Sequence, residues 1–361
     1  MSTPPAAPQA EPVASQVYRI ACPFGDDSIV QVYYVDAPQP ALIDTGVKPS
    51  AAQVIEPALG AAGFTLQEVR HIFNTHGHWD HMGGNEAVRG RAPQARTYVP
   101  VEDTYLLGDA EEHLRGYYTL AARVLGGRPS AHQVELLRRA VDCPTPVDVP
   151  VVDGASFDLG AGRRLRAVHT PGHSRGSTSY LLEPGGVLFT GDGVQGLGSR
   201  PGQLPLVFDD SQAYRATLVK LSELAFEVVC LGHEFVGLAP NAHPIPGRSL
   251  AAPHPVHAPA GAPRSLDSGG GPNAGRDPVR RGEAARQFLE ESGEVAKAVE
   301  EAMRSVLRTD GDSGFVPVAR AALARLSGVL SLQLDDAGLN LRSLPTLHAF
   351  YRELTGALLP A

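Results

Sequence analysis

Four side chains able to ligate a metal or move a proton fall within six residues: His76, His78, Asp80 and His81, in the order H-x-H-x-D-H. Neutral imidazole suits zinc, and a carboxylate can complete such a set. A tight loop can turn alternate residues toward one point. A hydrophobic core has little use for these groups, because burying them without partners carries a large desolvation cost. Three more candidates follow, each where an apolar run ends: His173 in HTPGHSRGS, Asp192 in LFTGD and His233 in CLGHE. Strand ends are where α/β folds collect ligand-binding groups. One such residue is weak evidence, but the ordered set is specific. His71 and His169 read as structural, Trp79 as packing outward to support the loop, and Cys230 as core rather than nucleophile. His254 and His257 lie in a Pro-rich stretch. Met82, Gly83 and Gly84 would let a helix begin close to the site.

The elements that must position these groups can be read from periodicity. VYRIACPF, SIVQVYYV and PALIDTG are strand-like runs broken by turn signals. A helix is expected over about 50–62, and HIFNT, 71–75, reads as a short buried strand. Helical periodicity dominates 101–141. Strand signals resume at Val147 and continue through FTGD, an amphipathic helix follows over about 211–225, and FEVVCLGH is a further strand. This order implies two sheets with helices outside, and 101–141 reads as an insertion between them. The stretch 239–277 is rich in Pro, Gly and Ala and reads as a linker. Helical patterns at 281–307, 316–326 and 344–358 form a small C-terminal module, 278–361. The start, 1–16, reads as a disordered tail ahead of a main domain at 17–238.

Composition narrows the function classes. With 361 residues and 43% hydrophobic content a sizeable core is possible. A net charge of −8 argues against a general nucleic-acid binder. Cys22, Cys143 and Cys230 are too few and too scattered for a disulfide framework or a cysteine zinc site. A reduced, cytoplasmic setting is the expectation. The first residues lack a secretory pattern, and no apolar run is long enough to span a bilayer.

With the motifs in this order, Tyr18 to Val236 resembles the metallo-β-lactamase-fold hydrolases. The resemblance implies an α/β (α+β) architecture, the αββα sandwich, with its site at one edge of two packed sheets. It implies His76, His78 and His173 on one metal, Asp80, His81 and His233 on a second, and Asp192 bridging them. Asp44, in LIDTG, would brace the metal loop. Two zinc ions per chain are implied, though iron or manganese also suits such a site. Paired metals lower the pKa of a shared water from about 15.7 to roughly 7. The bridging hydroxide would attack a carbonyl, with Asp80 orienting it, so Asp80 and Asp192 are the catalytic candidates.

The substrate implied is a small acyl compound cleaved at an ester or thioester; a lactone or β-lactam is the alternative, then a phosphodiester or RNA. THGHWDHMGGN and GHEF are similar to segments of glyoxalase II, a glutathione-thioester hydrolase. Gly77 stands where that enzyme carries His, and 193–208 departs from its glutathione-binding pattern. Tyr117, Tyr118, Leu106 and Leu107 could wall a pocket or bury the insertion's own core. Arg175 and Arg200 could bind a substrate carboxylate or phosphate, or be solvated loop charges.

Overall fold

The computed structural model describes residues 7–24, 28–115, 124, 131–198, 203–236, 277–330, 339 and 343–357. The first sheet runs in chain order: β1 (Ala10–Ala14), β2 (Val17–Phe24), β3 (Ser28–Val35), β4 (Ala41–Ile43), β5 (His71–Phe73), β6 (Arg96–Pro100) and β7 (Val149–Val151). Its first four strands are antiparallel and the rest join in parallel. The second sheet is built from β8 (Ser156–Gly160), β9 (Arg163–His169), β10 (Thr178–Glu183), β11 (Val187–Gly191), β13 (Val228–Leu231) and β15 (Val279–Arg281), in the order β15-β13-β11-β10-β9-β8. β12 (Leu197–Gly198) and β14 (Phe235–Val236) form a separate short pair.

Successive side chains of a strand point to opposite faces, and here both faces are buried. Tyr33, Ile43, Phe73 and Tyr98 meet Leu165, Tyr180, Leu182 and Phe189 between the sheets. Their neighbours Val32, Tyr34, Leu42 and Ile72 cover the outside of the first sheet. There they pack against a π-turn (Ala51–Ile55), α1 (Glu56–Ala61) and Val88 of α3 (Asn85–Arg89), which follows the short α2 (Trp79–Met82). Within 101–141 lies α4 (Ala131–Ala140). The outer face of the second sheet packs on α5 (Ser211–Ser222) and three long C-terminal helices, α6 (Gly282–Asp310), α7 (Phe315–Leu330) and α8 (Leu344–Thr355). The result is the expected αββα sandwich.

Two expectations are corrected. Residues 10–14 are not tail: Ala10 to Ala14 pair antiparallel with β2 as an edge strand, a pairing partner supplied by tertiary structure rather than by local propensity. The C-terminal region is not a purely helical appendage. Val279–Arg281 adds β15 to the second sheet against β13, and α6, α7 and α8 share one continuous hydrophobic cluster with α5 and the sheet. Of the two readings open for Leu106 and Leu107, the structure bears out burial: both are packed with Met82, Val99 and Leu137. They lie in a 3-10 turn, Val101–Leu107, that begins the insertion, whose described parts are helical and include α4. Tyr117, Tyr118, Arg200, His254 and His257 lie outside the described residues. Among the described residues, no helix is long and apolar enough to cross a membrane.

Candidate metal centre

The seven side chains singled out in sequence converge at one edge of the sandwich. β5 ends at Phe73 and delivers His76 and His78; α2 then turns Asp80 and His81 inward. His173 follows β9, Asp192 follows β11 directly, and His233 follows β13. Three overlapping sets bring their donor atoms within 4.8 Å of one another: His76, His78 and His173; His76, His81 and Asp192; Asp80, His81 and His233. Asp192 spans the two sides. Its Oδ2 lies 3.6 Å from His173 Nε2 and 3.5 Å from His233 Nε2, and its Oδ1 lies 3.5 Å from His81 Nε2.

The outward ring nitrogens explain why these rings aim inward. Asp44 is buried, with a left-handed backbone (φ 61°) that Asp tolerates better than most residues. Its Oδ1 accepts the Thr75 N–H at 2.8 Å, and its Oδ2 accepts the Thr75 hydroxyl and His81 Nδ1, each at 2.8 Å. Thr75 Oγ1 in turn lies 3.1 Å from His76 Nδ1. One carboxylate thus sets the orientation of His76 and His81, favouring the tautomers that leave both Nε2 atoms bare. His173 Nδ1 donates to the Leu206 carbonyl at 2.5 Å, and His233 Nδ1 to the Ile29 carbonyl at 2.7 Å. His78 presents Nδ1 instead, 2.8 Å from His173 Nε2.

The donors fit a divalent metal. His76 Nε2, Asp80 Oδ1 and Asp192 Oδ1 are buried acceptors without a hydrogen-bond partner, a costly arrangement that a cation relieves. Burial holds the His76 and His78 imidazoles well below their ordinary range, reinforced by the neighbouring imidazoles, so both stay neutral as ligands must. Burial alone would lower His81 too, but Asp192, Asp44 and Asp80 outweigh it and raise it to about 10. Burial alone would raise Asp80, but His81 and His233 hold it well below the carboxylate range. The carboxylates thus face two kinds of imidazole: His76 and His78, kept neutral by burial, and His81, drawn toward the charged form by the acids around it.

Several supporting residues carried no sequence signal. Gln195 Oε1 accepts the Leu206 N–H at 2.7 Å, and Thr346 of α8 accepts the Val207 N–H at 3.1 Å. Arg352 of α8 donates to the Asp209 carbonyl. The segment that anchors His173 is therefore fastened to the C-terminal helices. It also lays the edge of Phe208 against His78 and His173, with ring centroids 5.5 and 5.4 Å away. On the other side Phe24 stands 5.8 Å from the His233 ring and 5.3 Å from Trp79. Asp103 and His113 of the insertion are buried close by, and burial lowers His113 to about 4. Arg175 is exposed and paired with Asp209 at 3.1 Å. His71 bonds Tyr98 and Gln39, and His169 bonds the Arg175 carbonyl, both structural as expected.

The family model of the metallo-beta-lactamase superfamily matches residues 25–233. A hydroxyacylglutathione hydrolase of Ruegeria pomeroyi is 28% identical over 221 residues, 61% of this chain and 67% of that protein. An atrochrysone carboxyl ACP thioesterase of Emericella nidulans is 29% identical over 186 residues, 51% of this chain and 44% of that one. This chain therefore spans about two thirds of the first relative's length and under half of the second's. Among solved structures, a metallo-beta-lactamase family protein from Thermus thermophilus superposes with a TM-score of 0.60 at 20% identity, covering 95% of both chains. A subclass B3 metallo-beta-lactamase of Bradyrhizobium japonicum gives 0.51 at 22% identity, covering 83% of this chain and 97% of that one. At these identities the two structures share the fold.

Proposed function

The chain belongs to the metallo-beta-lactamase superfamily and is a hydrolase, and from that premise we propose that it cleaves a thioester or ester of a small acyl substrate at a pair of divalent metal ions. The observation that carries this reading is the convergence of seven donors, six of them buried and His233 half-buried, with Asp192 facing both sides. His76, His78 and His173 would hold one ion, Asp80, His81 and His233 the other, and Asp192 both. Zinc fits the mixed imidazole and carboxylate set. Bound divalent metal acidifies water and polarises a carbonyl.

The protein's own residues supply the rest. Asp80 Oδ1 is buried without a partner and would accept a hydrogen bond from the attacking water, orienting it. A cysteine nucleophile has no support: burial pushes Cys22 up to about 12, Cys143 up to about 11, and Cys230 higher still. Phe208 and Phe24 flank the donors and favour an apolar acyl group.

The choice of bond rests on chemistry and on kinship. A thiolate leaves without first being protonated, whereas an amine needs a proton donor. Two relatives carry names that denote acylglutathione and acyl-carrier thioester cleavage. Arg175, an exposed cation two residues after His173, is already paired with Asp209, which disfavours a polyanionic substrate. The test is a panel of acyl-CoA, acylglutathione, lactone, β-lactam and bis-p-nitrophenyl phosphate on metal-quantified protein. The highest kcat/KM is expected for a thioester or activated ester. A higher value for the phosphodiester or the β-lactam would overturn the reading.

A further inference from the structure

Gly77 separates two of the proposed ligands, His76 and His78, and stands where glyoxalase II carries a side chain. The structure shows what occupies that space. A Cβ on Gly77 would lie 2.8 Å from Leu106 Cδ1, 2.9 Å from the Asp103 carbonyl oxygen and 3.0 Å from Asp103 Cβ. The turn Val101–Leu107 therefore rests directly on the backbone of the first histidine loop. Gly176, three residues after His173, is equally closed: a Cβ there would lie 2.6 Å from Asp103 Cγ and 2.8 Å from Asp103 Cβ.

Between the two glycines sits the Asp103 carboxylate, fully buried. Its Oδ2 accepts the Gly77 N–H at 2.9 Å and the Ser174 hydroxyl at 2.7 Å; its Oδ1 accepts the Gly176 N–H at 2.8 Å. Ser174 adjoins His173, and Gly77 adjoins both His76 and His78. These loops come from different sheets, and this carboxylate joins them.

We propose that Asp103 is a positioning residue for the His76–His78–His173 half of the centre, fixing the distance between the two loops that supply it. The inference rests on the metal reading above. It gives the insertion a role: it carries the clamp. Charge-assisted bonds from backbone N–H groups to a buried carboxylate are short and strong, and outer partners of this kind change metal affinity by about 10- to 100-fold. The three bonds of Asp103 all reach residues flanking His76, His78 and His173. None reaches Asp80, His81 or His233, so the two halves should respond unequally to its loss.

The test uses Asp103→Asn, which keeps the shape but sets an amide N–H₂ against a backbone N–H. Glu102→Gln, an exposed neighbour on the same turn, is the control. Each protein, stripped of metal, is titrated with zinc against a chromophoric chelator, and its cobalt(II) form is examined by visible spectroscopy. Wild type and Glu102→Gln should bind two equivalents. Asp103→Asn should bind one of them as wild type does and the other at least about tenfold more weakly, with an altered cobalt spectrum. Unchanged affinity for both equivalents in Asp103→Asn would overturn the clamp. A wild type that takes up no zinc would overturn the metal reading itself, and the clamp with it, and is recognised because no protein in the set takes up metal. If Asp103→Asn does not fold, amide exchange in the wild type decides: Gly77 and Gly176 should be strongly protected, and exchange at exposed-loop rates would refute the proposal.

Discussion

His81 and His173 are both held through the ring nitrogen that faces away from the site, but by different kinds of partner. His81 leans on a carboxylate, Asp44, that also fixes Thr75 and through it His76. His173 leans on a backbone carbonyl, Leu206, in a segment fastened by Gln195 and by Thr346 of α8. His233 likewise uses a carbonyl, Ile29. The loop after β5 is compact: it supplies four donors, His76, His78, Asp80 and His81, and one side chain orients two of its imidazoles. The other three donors, His173, Asp192 and His233, stand at strand ends of the second sheet, and their geometry depends on how distant segments pack. The difference teaches that equivalent ligands can carry unequal structural dependence. The first set should fail by losing a charge, the second by losing a docked segment.

The largest expected effect crosses both halves. Asp192→Ala removes the side chain that faces both sides and should lower kcat/KM by at least about 100-fold while reducing bound metal. A folded variant with near wild-type turnover and metal would remove Asp192 from its bridging role. Next, Asp44→Asn keeps the volume but replaces an acceptor oxygen with a donor where Thr75 and His81 both need an acceptor. Metal affinity, read by competition with a chelator, should fall by about 10- to 100-fold. The smallest effect is expected at Thr346→Val, which strips the Val207 N–H of its partner 139 residues away in sequence. The hydroxyl's bond to the Pro205 carbonyl goes with it; each is worth about 1 kcal/mol and only part of that reaches the site, so a change of about fivefold in KM is expected, with kcat less affected. If Thr346→Val matched Asp44→Asn in size, the contrast between the loop donors and the strand-end donors would fail.

What could be read in advance follows the same division. The motif around His76 was legible because its donors are neighbours in sequence, and Asp44 because it ends a recognisable strand. His173, Asp192 and His233 were legible because each closes an apolar run. Leu206 carried no signal, because any residue offers a carbonyl and only tertiary packing chooses which one serves. Asp103 looked like one acid among several in VEDTYLL; its burial and its three donors depend on loops 26 to 73 residues away. The edge strands β1 and β15 were missed for a related reason. Each is short, and each is a strand only because β2 or β13 offers it an edge. Leu106 and Leu107 were correctly seen as apolar, but periodicity does not say whether an apolar face meets substrate or protein.

Seven side chains from two sheets are proposed to form one centre for two ions. Elemental analysis of protein purified without chelator tests it most directly. About two equivalents of divalent metal per chain are expected, lost together with activity on chelation and regained together on adding zinc. Less than one equivalent, with no uptake of added zinc and no change in activity, would contradict it.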